Sequence, residues 1–573
     1  MNILKFSLNT NIGYSSRILI ALILSTTFYA VIWLSSQHKL IYTDEVFFAA
    51  DFVRIALGQW TSLEIPHPPL YSILGSLSVQ VFGYSLPAMR LVGGVGYLLT
   101  LWLIPLFCYH LTRDSVQAEQ ASLIAIVTWA IHPLALQGSL LLDIDNTIFP
   151  PVLLLFMIVL SATELTFAWK RIILVGLVVA IMLWVKLLPS NLLIIGLAII
   201  AYIRRKQLFI STLAALIFGL LIYLASFAIF SLSTQFPVEL VLSTFIRTQN
   251  ISQPFGRLLA RVVMGGGITT VWIGIPVLII FGMIVVKRLL DIIKSGQLSI
   301  FDILILYIIF GFSIFTIGNE LPMGFPRYHY PLALIIIIIT SIEIVRMKRF
   351  QKLNIFALVL LLIFFIIYFV TIMPDPLLPH YLLTFETNNL VTRLIFGLQN
   401  QIYAMIIPLG VALIALWVIY RNKTAFSNVI PSLLISYCVS TWLVTSVTQT
   451  QAAYSTIYEY GRFGGWEMAK LVQERTQPTD KIIAPQEIRW AAQRSNGDFV
   501  VSLLACQDCI AQSTIEYFHK NKPVAYVLTT KEDKRYTHIT RDPQFTALLN
   551  RCYSSPISIG TYIAYFSVRE NCD

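Results

Sequence analysis

Carboxylate side chains stand in pairs at two places in this chain, each close to the end of an apolar run. The stretch IYTDEVFFAAD carries Asp44 and Glu45, and the stretch GSLLLDIDNT carries Asp143 and Asp145. A carboxylate held at a water-excluding interface gains basicity and can accept a proton from a hydroxyl group. Carboxylates from separate segments can also share a divalent cation. The two pairs are therefore the first candidates for chemistry.

Each pair also has an ordinary structural explanation. Asp44 and Glu45 would cap an interfacial helix over VFFAADFVRIALG, because an acid near a helix N-terminus binds free amide groups and favours the helix dipole. The second pair would form a turn and an N-cap together with Asn146 and Thr147. Taken singly, neither pair requires a function.

Further polar side chains occur in short motifs elsewhere in the chain. They are His67 in EIPHPPLYSIL, Lys186 in WVKLLPS, Arg247 in FIRTQN, Glu320 in GNELP and Arg327 in PRYHYP. Lys186 could simply extend along an apolar surface to the interface. The His-Pro-Pro element could end an extended segment ahead of a helix that begins at Leu70.

The composition is that of a membrane protein. Hydrophobic residues make up 57% of the 573 residues and charged residues only 12%, whereas soluble proteins have about 25% charged residues. The net charge of +11 does not form one basic face, since Lys and Arg recur in blocks between apolar runs. We interpret these blocks as topology signals, and we expect the lipid bilayer and not nucleic acid as the partner.

About thirteen apolar runs predict a polytopic α-helical protein. Their centres lie near residues 26, 100, 127, 156, 180, 198, 220, 277, 309, 338, 363, 411 and 438. The first run continues into charged sequence without a cleavage site, so we interpret it as a membrane helix. The runs near 180 and 198 are separated only by KLLPSN, and the basic clusters that follow favour two helices.

The distribution of Lys and Arg predicts a multi-pass protein of the plasma (inner) membrane with a cytoplasmic N-terminus. The transmembrane domain would cover residues 1–449, and its loops on the outer face would cover residues 35–87, 137–147, 232–269 and 318–330. Most of the acids and bases named above lie in these loops. Because an ionisable group at helix depth costs about 2.5 to 3.5 kcal/mol, their convergence on one face favours function over capping.

From about residue 450 charges become dense and long apolar runs end. Helical spacing in RFGGWEMAKLVQERT and STIEYFHK predicts two helices, and KIIAP, PVAYVLTT and ISIGTYIAYFSV each predict one strand. Residues 450–573 would therefore form a small soluble α/β domain outside the membrane.

Four cysteines lie in this domain, at Cys506, Cys509, Cys552 and Cys572. An extracytoplasmic location predicts disulfide bonds. The spacing of CQDC also fits a redox or zinc half-site, although no thioredoxin-like context or second metal pair accompanies it.

The sequence resembles the membrane-embedded glycosyltransferases of the C superfamily (GT-C), above all the branch of protein O-mannosyltransferases and lipid A aminoarabinose transferases. The resemblance rests on TDE and HPPLYSIL in the first outer loop, LDIDNT in the second, WVKLLPS after the fifth helix, PRYHYP before a late helix, and an outer C-terminal domain. It implies transfer of a hexose or pentose from a polyprenyl-phosphate donor to an envelope lipid, glycan or protein, with inversion at the anomeric carbon.

The resemblance also implies a role for each motif residue. Asp44 takes the place of the catalytic carboxylate, a general base toward an acceptor hydroxyl, or a positioning group if the acceptor is already an anion. Lys186 and Arg327 would face the carrier phosphate, and Arg247 in the long outer loop is a further candidate. The remaining candidates would position the acceptor or a metal ion: Glu45, His67, Asp143 and Asp145.

A divalent metal ion is the one cofactor that the resemblance raises, since some relatives bind one and others do not. Its ligands would come from Asp44, His67, Asp143, Asp145 and Glu320. Where the aminoarabinose transferases have Glu-Lys-Pro, this chain has His67-Pro68-Pro69, which is closer to the protein mannosyltransferases. The departure weakens the case for aminoarabinose as the sugar and for a metal.

The alternative is a transporter or flippase whose substrate path carries the same charges. No inverted repeat is visible between the two halves of the sequence, and the polar groups cluster at one face, where a transporter would hold them near the midplane. A membrane scaffold would not need acids in both early outer loops. We therefore expect an enzyme.

Overall fold

The computed structural model describes residues 15–41, 44–163, 167–187, 190–203, 205–241, 273–295, 298–318, 327–346, 355–372, 426–451, 464–494, 497–498, 518, 520–529, 543–560 and 562–568.

Apolar helices form the larger part of the molecule. In chain order they are α1 Ser16–Ser35, α2 Asp44–Ala56, α3 Leu70–Phe82, α4 Leu86–Thr112, α5 Ser115–Ile131, α6 Pro133–Ser139, α7 Phe149–Ala162, α8 Ala168–Val185, α9 Ser190–Tyr202, α10 Lys206–Thr234, α11 Ile275–Ser295, α12 Ile300–Gly318, α13 Tyr330–Arg346, α14 Ile355–Ile372 and α15 Phe426–Gln451. Each predicted apolar run lies on one of these helices, except the run near residue 411, which falls outside the described residues.

Among the described helices, α1, α4, α8 and α10 are each long and apolar enough to cross a membrane, which takes about 20 residues. A fifth candidate is the pair α5 and α6, which bends by 60° at His132 just before Pro133. Apolar side chains on these helices are strongly exposed, for example Leu24 at 65% on α1 and Leu232 at 84% on α10. Such surfaces need lipid, so the chain is a polytopic α-helical membrane protein, as predicted.

The helices α2 and α3 follow α1 and precede α4 in the chain, and they pack against each other. At 13 residues each they are too short to span a bilayer. Phe52 of α2 meets α3 at Gly75, where a Cβ atom would overlap the Phe52 ring. The rings of Phe48 and Phe52 pack edge-on against Tyr71, with centroid distances of 5.0 and 5.4 Å. As predicted, α2 forms over the acidic stretch and α3 begins at Leu70.

The helices α8 and α9 are separate, as predicted, and Lys186 lies at the break between them. The backbone N–H of Lys186 makes the last helical bond of α8, to the carbonyl of Met182 at 3.0 Å. The side-chain amide of Asn191 donates to the carbonyls of Met182, at 2.7 Å, and of Lys186. The bond to Lys186 satisfies a carbonyl that the end of a helix leaves unpaired, and both bonds fix the backbone that carries the Lys186 side chain.

A five-stranded sheet lies at the C-terminal end. Its strands are β1 Ile482–Ile483, β2 Gly497–Asp498, β3 Ala525–Thr529, β4 Ile557–Ile559 and β5 Tyr562–Phe566, in the order β2-β1-β3-β5-β4. β1 pairs in parallel with β2 and β3, whereas β5 pairs antiparallel with β3 and β4. The helices of this part are α16 Gly465–Arg475, α17 Gln486–Ala491 and α18 Pro543–Cys552. The predicted α/β character is confirmed.

The prediction of one closing strand over ISIGTYIAYFSV was wrong. This stretch forms two strands, β4 and β5, which pair with each other as a hairpin. Gly560 stands at the turn with a φ of +58°, a left-handed conformation that glycine adopts without the steric cost of a Cβ atom. Most of the predicted helix over STIEYFHK lies outside the described residues.

The C-terminal domain contacts the membrane domain at one end of the helix bundle. The indole Nε1–H of Trp466 donates to the backbone carbonyl of His38, just beyond α1, at 2.9 Å. The ring of Trp490 lies 6.2 Å from the ring of Tyr84, just ahead of α4. Both contacts place the sheet domain over the end of the bundle where α1 ends and α4 begins.

Cys552, the last residue of α18, is buried and disulfide-bonded. Its partner lies outside the described residues, as do Cys506, Cys509 and Cys572. The disulfide prediction is confirmed for Cys552.

Candidate active site

A buried ion pair lies at the centre of the candidate site. Lys186 Nζ donates to Asp145 Oδ2 at 2.5 Å, and each side chain is only 3% exposed. The ammonium group also lies 4.8 Å from the centre of the Tyr328 ring, a distance at which the ring face attracts a cation. Burial by itself lowers the pKa of Lys186, but Asp145, Tyr328 and Asp143 together hold the pKa above its ordinary value. Lys186 therefore keeps its positive charge at neutral pH.

The pair joins three of the motif segments. Asp145 comes from LDIDNT between α6 and α7, Lys186 from the end of α8, and Tyr328 from PRYHYP, in a short 3-10 turn ahead of α13. Lys186 thus contacts Asp145, which lies 41 positions earlier in the chain, and Tyr328, which lies 142 positions later. The prediction that these segments converge is supported by this geometry.

Asp143 shapes the turn that presents Asp145. Its Oδ1 atom accepts the backbone N–H of Asp145 at 3.1 Å, and its backbone carbonyl accepts the hydroxyl of Thr147. This is the turn that the sequence predicted, because Asp favours such local bonds. The N-cap that was expected from Asn146 and Thr147 does not form, because α7 begins at Phe149 and its cap residue, Ile148, makes no side-chain hydrogen bond.

Glycines of α4 let this turn pack close to the helix. A Cβ atom at Gly93 would overlap the carbonyl oxygen of Ser139, and one at Gly96 would overlap the carbonyl oxygen of Thr147. Only glycine permits such a backbone approach. The acidic turn is therefore held against α4, and all residues from 141 to 150 are buried.

Glu45 ties the first acidic stretch to the second. Its Oε1 atom accepts the backbone N–H of Leu142 at 3.1 Å, and Glu45 is 1% exposed. The guanidinium of Arg90 interacts electrostatically with Glu45 while donating to the carbonyl of Lys39 at 2.8 Å. Glu45 was expected to cap a helix or to position the acceptor or a metal ion; the structure shows in addition that it joins α2 to the loop that carries Asp145.

Two tyrosines at the site carried no functional prediction. Tyr71 of HPPLY is buried beside Thr147, and the charges of Asp143 and Glu45 act on its hydroxyl group. Tyr307 of α12 is also buried, and the charge of Asp145 acts on its hydroxyl. The HPPLY motif was a sequence signal for Tyr71, whereas Tyr307 lies in an apolar run that gave no signal.

A second carboxylate network lies further along α2. Asp51 is 1% exposed and accepts the backbone N–H groups of Glu64, at 3.1 Å, and Ile65, at 3.1 Å. The Arg54 guanidinium lies 3.2 Å from Asp51 and 2.5 Å from the Glu64 carboxylate. Burial raises the pKa of Asp51 to about 6, although these hydrogen bonds and the Arg54 charge oppose the rise.

For most of the remaining predicted residues the described structure does not include the side chain. Asp44 is the first residue of α2 and Arg327 opens the short turn that carries Tyr328, but the side chains of both lie outside the described atoms. Arg247 and Glu320 lie outside the described residues. His67 is half-buried in the segment that leads into α3. The roles expected for these residues stay predictions.

The described part of the chain contains no group of three or more His, Cys, Asp or Glu side chains that could hold a metal ion. Of the five expected ligands, Asp143 and Asp145 are engaged with the turn backbone and with Lys186. The side chains of Asp44 and Glu320 lie outside this description, so a divalent ion stays a prediction.

The arrangement suits the binding of an anion. A lysine ammonium is buried with one carboxylate and an aromatic face, and a phosphate that enters can compete with Asp145 for it. Charge that develops on such an anion is stabilised more strongly here than in water, because the site has a low dielectric constant and the cation is already in place.

The chain has the same fold as ArnT, with a helical membrane domain and a small C-terminal α/β domain. The crystal structure of ArnT from Cupriavidus metallidurans bound to undecaprenyl phosphate is similar to this chain with a TM-score of 0.61 at 14% identity, over 96% of this chain and 98% of that one. The apo structure of the same protein gives a TM-score of 0.56 at 14% identity, over 95% and 97% of the two chains. No protein-family model and no curated protein matches the sequence.

Proposed function

We propose that this protein transfers a sugar from a polyprenyl-phosphate donor to an acceptor of the cell envelope. The reaction takes place on the extracytoplasmic face of the plasma membrane and inverts the anomeric carbon. The observation that carries the proposal is the buried Lys186–Asp145 pair, which lies in a fold similar to that of ArnT, a protein crystallised with undecaprenyl phosphate.

The leaving group of this reaction is a polyprenyl phosphate. Negative charge grows on its phosphate oxygens as the bond between the anomeric carbon and the phosphate breaks. Lys186 is a preformed cation for that charge, held in place by Asp145 and by the Tyr328 ring. A fixed cation in a dry site stabilises this transition state without reorganisation at the moment of reaction. Arg327, one residue before Tyr328, is the second cation that we assign to the phosphate.

The acceptor is activated by Asp44 in this proposal. Asp44 begins α2, and the next residue, Glu45, is bonded to Leu142 in the loop that carries Asp145. The backbone of Asp44 is therefore held against the same loop as the phosphate-binding cation. Asp44 takes the proton of an acceptor hydroxyl as that oxygen attacks the anomeric carbon from the face opposite the phosphate. If the acceptor is a phosphate anion, Asp44 orients it instead.

The shape of the molecule agrees with a lipid-linked donor. The exposed apolar sides of α1 and α10 provide a lipid-facing surface for a polyprenyl chain, whereas the charged groups of the site lie where the helices end. The distribution of Lys and Arg supports an extracytoplasmic location for that end. The C-terminal domain, which contacts the same end, lies on that side too.

The test compares envelope material and donor turnover with and without the protein. Mass spectrometry of envelope lipids, glycans and proteins is expected to show one added glycosyl mass that depends on the protein. In membrane vesicles, with polyprenyl-phosphate sugars as donors and an envelope extract as acceptor, Asp44→Asn is expected to lose transfer by at least about a hundredfold. It should still bind undecaprenyl phosphate.

The control variant is Asp291→Asn, which alters an exposed acid on α11 and should retain full transfer. Full transfer by Asp44→Asn would overturn its catalytic role. Movement of the intact lipid-linked sugar across the vesicle membrane, with no new glycosyl mass, would overturn the proposed function in favour of a flippase.

A further inference from the structure

Asp51 forms hydrogen bonds with the chain segment that leads into α3. Its carboxylate accepts the N–H of Glu64 with both oxygens, at 3.1 and 3.3 Å, and the N–H of Ile65 at 3.1 Å. The Arg54 guanidinium completes the arrangement at 3.2 Å. We name this set of contacts the Asp51 clamp. It joins α2 to a segment 13 and 14 residues further along the chain.

The clamp binds two of the three backbone N–H groups that the segment has. Residues 64–69 read Glu-Ile-Pro-His-Pro-Pro, and its three prolines have no backbone N–H. The N–H of His67 donates within the segment, to the carbonyl of Ile65 at 2.9 Å. The N–H groups of Glu64 and Ile65 are the other two donors, and both bind Asp51. Asp51 therefore attaches this segment to α2 by accepting two of the segment's backbone N–H groups.

The prolines make the segment between Asp51 and the site rigid. Because each proline has its φ angle locked by the ring, the stretch from Ile65 to α3 bends little. It ends at Tyr71, whose hydroxyl is buried beside Thr147 and in the field of Asp143 and Glu45. The Tyr71 ring packs on Phe48 and Phe52, which flank Asp51 on α2. The clamp thus sets where His67 and Tyr71 stand relative to the acids.

We propose that Asp51 is a positioning residue for sugar transfer, which holds the His67-Pro68-Pro69 segment and Tyr71 in register with the acidic N-terminus of α2. Its effect on the rate rests on the proposed function, whereas its hold on the segment does not. Asp51 does not touch substrate. It acts on the acceptor side of the reaction, because it lies on α2 together with Asp44, whereas Lys186, the cation for the donor phosphate, lies beyond the end of α8.

The first measurement is hydrogen–deuterium exchange on the purified full-length protein in nanodiscs. The Asp51→Asn variant has nearly the same volume, but its side-chain NH₂ is a donor that faces backbone N–H groups. Exchange in a peptide covering residues 62–69 is expected to quicken by about tenfold, since about 1–3 kcal/mol is lost when an N–H loses its partner. A peptide from α4 should exchange as in the wild type.

The matched control is Asp480→Asn in the C-terminal domain. Asp480 also accepts a backbone N–H, that of Gln477 at 2.7 Å, in an exposed turn. This variant loses the same kind of bond far from the segment, so its exchange at residues 62–69 and its transfer rate should equal those of the wild type. Unchanged exchange at residues 62–69 in Asp51→Asn would overturn the clamp itself.

The second measurement separates positioning from general loss of structure. With a saturating envelope extract as acceptor, Asp51→Asn is expected to lower kcat by about tenfold. The KM for the polyprenyl-phosphate sugar, and the Kd for undecaprenyl phosphate alone, should stay within about twofold of the wild type. An unchanged kcat, or a parallel loss of kcat and undecaprenyl phosphate binding, would overturn the positioning role.

Failure of the proposed function gives a different result from failure of the clamp. If the wild-type protein transfers no sugar, the proposed function is wrong and the rate effect of Asp51 falls with it. The exchange measurement still decides whether Asp51 holds the segment, because it needs no substrate.

Discussion

Lys186 Nζ lies 2.5 Å from Asp145 Oδ2 in a place where each side chain is 3% exposed. Removing one member of such a pair leaves a buried charge without its partner, which costs about 3–5 kcal/mol. Replacing both members by neutral groups costs far less, because no uncompensated charge remains. This difference allows the stability role of the pair to be separated from its role in donor binding.

For Lys186→Met we expect both a lower melting temperature and a loss of undecaprenyl phosphate affinity of about tenfold or more. In the double variant Lys186→Met with Asp145→Asn, the melting temperature should largely recover because the buried charge is gone. The affinity should not recover, because the cation is still absent. Recovery of affinity in the double variant would contradict phosphate binding by Lys186.

Arg327→Ala tests the second cation of the site. Lipid-phosphate binding should weaken more than acceptor binding, because the proposal assigns this side chain to the carrier phosphate. A titration of the vesicle-bound protein with undecaprenyl phosphate measures the change. Equal affinity for undecaprenyl phosphate in the variant and the wild type would contradict phosphate binding by Arg327.

Glu45 should behave differently from its neighbour Asp44. In Glu45→Gln the amide oxygen can still accept the N–H of Leu142, but the charge is lost. Charge-assisted bonds are stronger than neutral ones by about 1 kcal/mol, and the buried Arg90 guanidinium loses a nearby opposite charge, so a drop in melting temperature is expected. Transfer should remain measurable at above about 1% of the wild-type rate. Complete loss of transfer at an unchanged melting temperature would show that Glu45, and not Asp44, performs the chemistry.

The Asp51 clamp should be tighter at acidic pH. Burial raises the pKa of Asp51 from 3.8 to about 6 in the closed arrangement, whereas an open, hydrated carboxyl returns to its ordinary value. Protonation therefore favours the closed form, and its contribution to stability is full below about pH 3.8 and is lost as pH rises through 6.

Corrected for intrinsic exchange rates, opening of residues 62–69 should rise by about tenfold or more between pH 4 and pH 7. Arg54 and Glu64 are the other charged groups at the clamp. In Asp51→Asn the corrected opening should depend much less on pH. The same pH dependence in that variant would assign the titration to another group.

The cysteine count should reveal two free thiols in the denatured, unreduced protein. The sequence has six cysteines, and Cys108 and Cys438 are free and buried in membrane helices. The other four lie in the C-terminal domain, where Cys552 is disulfide-bonded. After reduction all six should react. Four free thiols before reduction would contradict full pairing in that domain.

The secondary structure of the membrane domain could be predicted from the sequence because its causes are local. An apolar run in lipid must form a helix to satisfy its own backbone groups, and the runs coincide with the observed helices wherever the chain is described. The start of α3 at Leu70 follows from the prolines before it. The same local logic failed at Gly560, where a short apolar stretch with period two did not reveal that it turns back on itself.

The candidate residues Asp145 and Lys186 could be named from their motifs, but their pairing could not. They are 41 residues apart, and Glu45 and Leu142 are 97 apart. Asp51 looked like one more acid on an interfacial helix, and Tyr307 like one more apolar-helix residue. The sequence by itself determined the helices, the membrane class and most of the candidate groups, because hydrophobicity and proline act locally. Only the tertiary structure decided which acid holds the lysine and which holds the loop, because packing between distant segments, such as the turn against Gly93 and Gly96, sets those distances.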